Sequence, residues 1–222
     1  MFTSGVSGTG STKTLYVTGK QNQFHNVLFE QPQAVNTALT ACKVAGPSNL
    51  FKNVGFLGMT VSQTATVLTT SSSLEIASGA QYCRFEDCTI GSPYWLARTG
   101  ITGQILFSNT ATAGVDPGDI VFKGCRVLDN SVTAGVPAIL TKGTYSVDRV
   151  VEFRDCSFYN FANNLSQILT QVILDNTTTT HTFLLTGTTA QYGWGKWTSR
   201  VANCFIGMPT SSGTGGTALV AT

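Results

Sequence analysis

The stretch FRDCSFYNF, residues 153–161, sets Phe153, Cys156 and Phe158 around a polar Asp155. Those three apolar residues cannot share one face of a straight strand, whose side chains alternate with a period of two. They can all point inward if the chain bends at Asp155, a residue type that tolerates a left-handed backbone. The stretch therefore predicts a strand, a one-residue corner and a second strand.

The phrase is not alone. FHNVLF at 24–29, FKNVGF at 51–56, FEDCTI at 85–90, FKGCRV at 122–127 and VANCFI at 201–206 repeat it, with Asn26, Asn53, Asp87, Gly124 and Asn203 in the corner position. A second phrase, a Leu usually beside Val or Ile, follows each copy further along the chain, at Leu39, Leu68, Leu106, Leu140, Leu169 and Leu219. Two phrases alternating in fixed order point to a stacked repeat. Each repeat lays down short strands joined by corners, and such a chain coils.

The six copies resemble the second strand, bend and third strand of the right-handed parallel β-helix of the pectate-lyase type. That resemblance covers residues 22–222 and implies an all-β solenoid of about six rungs with loop insertions. It implies one inward column of Phe24, Phe51, Phe85, Phe122, Phe153 and Val201, and another of Val27, Val54, Cys88, Cys125, Cys156 and Cys204. Residues 1–21 are expected to form a flexible N-terminal arm. The copies are spaced irregularly and most widely between Phe153 and Val201, so the last turn is expected to carry an inserted hairpin near 172–198, with NTTTTH at its tip. Both ends of such a stub need caps or neighbouring subunits over their strand edges.

Composition narrows the partners. Charged residues make up 11% of the 222, with a formal net charge of +2, and Lys and Arg are not clustered as a nucleic-acid footprint requires. No apolar run approaches the roughly 18 residues of a membrane span, and the first residues lack the basic start and apolar run of a signal peptide. Neither nucleic acid nor a membrane is an expected partner, and synthesis in a cytoplasm is the expectation. Four of the six cysteines occupy one repeat position, which suits buried, reduced thiols better than a disulfide framework.

Chemistry is sparse. The outward second position of the phrase reads His25, Lys52, Glu86, Lys123, Arg154 and Ala202, without carboxylates on adjacent rungs. Asp87 and Asp155 serve corners, DPGD at 116–119 suits a turn, Glu30 and Glu75 are isolated, and Asp175 opens the expected hairpin loop. Asp148 and Glu152 flank Arg149 and Arg154 as a solvated charge pattern. No Cys or His pair has zinc spacing, no nucleophile accompanies His25 or His181, and GVSGTGSTKT lacks the lysine motif of a phosphate loop. No enzyme activity, metal or cofactor is expected. The individual features are aromatic: Tyr94 and Trp95 in SPYWLA, and Tyr192, Trp194 and Trp197 in QYGWGKW, candidate partner contacts because aromatic rings bury large area with few rotors.

A likeness in style to the β-solenoids of bacteriophage virions implies a structural role, most simply capsid decoration as a homotrimer bound to the major capsid protein or another virion protein. The competing expectation is a polysaccharide-binding or polysaccharide-degrading β-helix.

Overall fold

The computed structural model describes residues 2–3, 12–30, 39–58, 71–96, 103–108, 117–131, 138–142, 148–160, 173–175, 182–192, 196–201 and 204–207. Every regular element among them is a strand. Six rungs of three strands each succeed one another: β2 (Thr12–Val17), β3 (Gln23–His25) and β4 (Leu28–Glu30); β5 (Leu39–Val44), β6 (Leu50–Lys52) and β7 (Gly55–Leu57); β8 (Ser72–Ala77), β9 (Arg84–Glu86) and β10 (Thr89–Leu96). They continue as β11 (Ile105–Ser108), β12 (Gly118–Lys123) and β13 (Arg126–Ser131); β14 (Ile139–Lys142), β15 (Asp148–Arg154) and β16 (Ser157–Asn160); β17 (Ile173–Asp175), β18 (Thr182–Thr186) and β19 (Thr188–Tyr192). First strands stack on first strands, second on second and third on third, making three parallel sheets, here sheets 1, 2 and 3. The fold is a parallel β-helix.

The corner between sheets 2 and 3 shows why the phrase repeats. Asn26, Asn53, Asp87 and Asp155 have φ of 53, 52, 53 and 53°, and Gly124 has 64°. A bend in an isolated strand would orphan backbone groups. Here the corner N–H of Asn53 donates to the Glu86 carbonyl at 2.9 Å, and that of Asp87 to Lys123 at 2.8 Å, so each corner is tied to the next rung. One residue later the chain turns its apolar side chain inward, and Val54, Cys88, Cys125 and Cys156 are all at 1% exposure.

Phe24, Phe51, Phe85, Phe122 and Phe153 follow one another at 4.6 to 4.9 Å between ring centroids, within 11° of parallel. Rung spacing of about 4.8 Å imposes that stacking. Burying each ring stabilises the fold by about 1.5–3 kcal/mol, so the column alone outweighs any single polar contact. Cys42, Leu74, Ile105 and Ile139 supply the wall from sheet 1.

Sheet 1 is buried on its other side as well. Leu106 and Leu140, aligned on β11 and β14, are 2% and 1% exposed yet face away from the inner column, and Ser73 beside them bonds Gln104 and Gly58. Strands covered on both faces read as mixed apolar runs without clean alternation. This explains why the sequence phrase locates the sheet but not its register. The sheet 1 strand that follows the Asn53 copy of the phrase is Ser72–Ala77, and the segments of Leu68, Leu169 and Leu219 lie outside the described residues.

The sixth rung departs from expectation. Within the span expected as an inserted hairpin, β17, β18 and β19 pair in parallel with β14, β15 and β16 and so extend the three sheets. Asp175 accordingly belongs to a rung strand. Phe153 aligns with Leu185 on the next rung, and Gly187 at φ 60° turns the corner. A Leu in place of the phrase's Phe, and Thr188 in place of its Cys or Val, hid this copy. VANCFI instead belongs to a return path, in which β20 (Lys196–Val201) runs antiparallel to β19 and β21 (Cys204–Gly207) antiparallel to β18. Cys204 thus pairs with Leu185 in sheet 2 and Val201 with Thr188 in sheet 3, so neither stands at the repeat position the phrase gave it.

The N-terminal boundary also moves. β2 pairs with β5 from Thr12 to Val17, and β1 (Phe2–Thr3) pairs with β4, so the solenoid begins ahead of residue 22. Gly118 and Asp119 open β12, and Asp119, at φ 50°, bends the chain there as the DPGD turn expectation requires.

Candidate functional site

Two sheets carry the residues the sequence singled out. On sheet 2 the outward column runs His25, Lys52, Glu86, Lys123, Arg154 and then Thr186, the last in place of Ala202. Lys52 and Glu86 approach to 3.7 Å, and Arg154 grips Glu152 through Nη2 at 2.8 Å and Nε at 3.0 Å. These pairs are exposed, where such contacts contribute about 0–1 kcal/mol. His25 lies in the open with its Nε2 at 3.3 Å from the Gln23 amide oxygen. The column can steer a charged partner, and its carboxylates are engaged by neighbouring cations.

Sheet 3 carries four of the five aromatic candidates. Tyr192 ends β19 and aligns with Asn160, which aligns with Asp129, which aligns with Ser92 of β10. Tyr94 and Trp95 follow Ser92 inside the irregularity between Ser92 and Leu96. Trp197 pairs with Gln191 across the β19–β20 hairpin. Register therefore brings Tyr94, Trp95, Tyr192 and Trp197 to the same border of sheet 3, between the third rung and the return strand, although the two motifs lie far apart in the chain. Trp194 lies outside the described residues.

The cysteines form a separate, inner system. Cys42, Cys83, Cys88, Cys125 and Cys156 are free and buried. The thiol of Cys88 donates to the Phe51 carbonyl at 3.4 Å, that of Cys125 to Phe85 at 3.3 Å and that of Cys156 to Phe122 at 3.5 Å, one rung back each time. Burial, aided by the Glu75 charge, pushes the Cys42 thiol far up, and burial also raises Cys83. A contact with Cys125, followed by burial, raises Cys156. Thiols held protonated are poor nucleophiles and poor metal ligands, so their place here is packing.

Glu75 is the residue sequence reasoning misjudged most. Its Oε1 accepts from Lys43 Nζ at 2.7 Å and from Ser108 Oγ at 2.6 Å, linking β5, β8 and β11 on the covered side of sheet 1. Lys43 also lies 5.7 Å from the centre of the Tyr16 ring. Each member sits a full rung away from the next in the chain, which concealed the cluster, because only the rung register brings it together. Among the described residues no group of three or more His, Cys, Asp or Glu is placed to hold a metal ion.

Comparison with protein-family models, with curated proteins and with solved structures returned no match. The fold and the geometry of these surfaces therefore carry the functional reading.

Proposed function

We propose that the chain is a structural protein of a bacteriophage virion, a decoration protein that stabilises the capsid shell and acts as a homotrimer. The observation that supports this reading is the aromatic border of sheet 3, where Tyr94, Trp95, Tyr192 and Trp197 share one margin of a rigid stacked scaffold. Aromatic residues spread over several rungs suit contact with a broad protein surface, since they anchor interfaces. The proposed partner is the major capsid protein or a neighbouring shell protein. A ligand that binds only the assembled shell stabilises it by mass action, so decoration needs no chemistry.

The rival reading, a polysaccharide binder or depolymerase, draws on the same border, because aromatic faces also stack on sugar rings. Mass determination by light scattering on the purified protein, alone and mixed with phage heads that lack it, separates the two. Decoration requires a stable trimer, stoichiometric binding to heads and a higher melting temperature of the loaded heads. Trp197→Ala should weaken that binding at least tenfold. A monomer indifferent to heads that instead depletes a polysaccharide would overturn the proposal.

A further inference from the structure

The corner between sheets 1 and 2 is also left-handed, at Gln21, Ser48, Tyr82 and Asp119 with φ of 60, 58, 56 and 50°. Stacking links these corners, for the Ser48 N–H donates to Gln81 at 2.7 Å and the Tyr82 N–H to Gly118 at 3.0 Å. Among the described residues the column ends at the fifth rung. Between Gly118 and Ile120 the pairing shifts against Asp148 and Val151, so β15 passes the corner with an extra residue and without a left-handed turn. The outer surface sinks there into a recess of about 370 Å³.

Arg84, Val121 and Glu152 are register partners on β9, β12 and β15, so they line the recess in a row across three rungs. Strand spacing puts roughly 10 Å of sheet between its ends. Arg84 is exposed, and among the described residues its guanidinium has no hydrogen-bond or ion-pair partner. Glu152 at the other end is held by Arg154. Val121 and Val150 give an apolar floor. Tyr82, 49% exposed, stands on the wall in a backbone conformation that bulky residues rarely adopt.

We propose that this recess is a docking site for a protein segment that presents an acidic side chain beside an apolar one. The unpaired guanidinium is a planar fork that matches a carboxylate. The valine floor receives the apolar neighbour. Asp119, on the rim, repels a second negative charge, which disfavours phosphate and polyanions. Tyr and Arg are also the residue types that dominate protein interfaces energetically. A floor of branched aliphatic side chains, rather than a ring face, favours a peptide over a saccharide. The site is independent of the shell reading above.

The test is a titration of the full chain followed by NMR at the Arg84 Nε–H and the Val121 and Val150 methyls, with the capped peptide acetyl-Leu-Asp-Leu-amide as probe. The expected result is saturable shifts at all three residues, at least tenfold weaker for the Asn analogue and at least tenfold weaker in Arg84→Gln. Tyr82→Asn, which suits a left-handed corner, should weaken binding several-fold while circular dichroism stays unchanged. Absence of saturation, equal binding of the Asn analogue, or equal saturation by sodium acetate or by glucuronate would overturn the proposal; the last two would mark a simple anion site or a sugar site. Because no phage head enters the experiment, its failure leaves the shell reading to its own test.

Discussion

In each of its first four rungs the chain turns two left-handed corners, and they are built differently. Between sheets 2 and 3 the corner residues are Asn26, Asn53, Asp87, Gly124, Asp155 and Gly187, all types at ease with positive φ. Between sheets 1 and 2 they are Gln21, Ser48, Tyr82 and Asp119, of which Gln, Ser and Tyr have no such preference. Both columns satisfy the corner N–H on the next rung, so the ladder suffices to hold the bend and residue type only lowers its cost. What lies beneath also differs. Phenylalanines, with valines in the first two rungs and thiols in the next three, back the first corner through the fifth rung, whereas the residue after each second corner is Asn22, Asn49, Cys83 and then Ile120. Among the described residues the first column persists to the sixth rung and the second stops after four, which is where the recess opens.

The largest effect that could break this contrast is at the apolar backing of the first corner. Cys156→Asp places a carboxylate where exposure is 1% and the side chain faces backbone carbonyls and the Cys125 thiol, none of which is a cation. An uncompensated buried charge costs about 3–5 kcal/mol, and protonating the carboxyl to escape it still leaves a poorly paired polar group. Urea unfolding should show loss of that order, and Cys156→Ser, which keeps a donor for the Phe122 carbonyl, should lose much less. An unchanged midpoint for the aspartate variant would mean the thiol column does not lie inside.

Beneath the second corner the backing is polar, and the asparagines there should behave unlike those at the first. Asn49 is 1% exposed; its amide donates to the Gly19 and Gly46 carbonyls at 3.0 and 2.8 Å and accepts from Asn22. Asn49→Leu strands the half-buried Asn22 N–H, while the Gly19 carbonyl, on an exposed residue, can turn to water, so at about 1–3 kcal/mol for an unsatisfied group the loss should be about 2 kcal/mol. The Gly46 carbonyl keeps the Cys83 thiol as a donor, which limits the damage. Asn53, exposed at the first corner, bonds only Asn26 through its side chain. Asn53→Gly should therefore cost no more than a few tenths of a kcal/mol, given that glycine suits φ near 52° at the price of chain entropy. Similar losses for both in urea unfolding would erase the distinction between the corners.

The same contrast decides what could be read without coordinates. The first corner was legible because three apolar residues at positions one, four and six are incompatible with a straight strand, and because Asn, Asp or Gly marks all six of its turns, five of them inside the full repeated phrase. Its last copy escaped, since Leu185 replaces the Phe and Thr188 the Cys or Val after the corner, and a return strand carrying VANCFI offered a better match running backwards. The second corner left no residue signature at all. Its geometry comes from hydrogen bonds between rungs, a long-range property that no local window contains. The surfaces divide likewise: the outward charges on sheet 2 followed from the phrase through Arg154, while the Lys43, Glu75 and Ser108 cluster needed the register of sheet 1. Tyr94, Trp95, Tyr192 and Trp197 could be singled out as aromatic, but their common border depends on alignment across β10, β13, β16 and β19.

The smallest effect is the most discriminating, because it asks what the odd corner residue is for. Gly124→Ala should cost about 1–2 kcal/mol, the left-handed penalty of an ordinary L residue, at a φ of 64°. The added methyl would also come within 2.5 Å of Asp87 Oδ1, an exposed side chain that can swing aside, so steric crowding should add little. Tyr82 already bears that backbone penalty at φ 56°, and its ring is 49% exposed, so the fold recovers little of the cost through burial. Tyr82→Gly relieves the strain and adds roughly 0.5–1 kcal/mol of unfolded-chain entropy, so its net effect on the thermal unfolding free energy should be close to zero. Near neutrality would mean that the ring is dispensable to the scaffold and available to the recess. A loss larger than the relieved left-handed penalty, above about 2 kcal/mol, would mean that Tyr82 is a structural member of the second corner, as Phe85 is of the first.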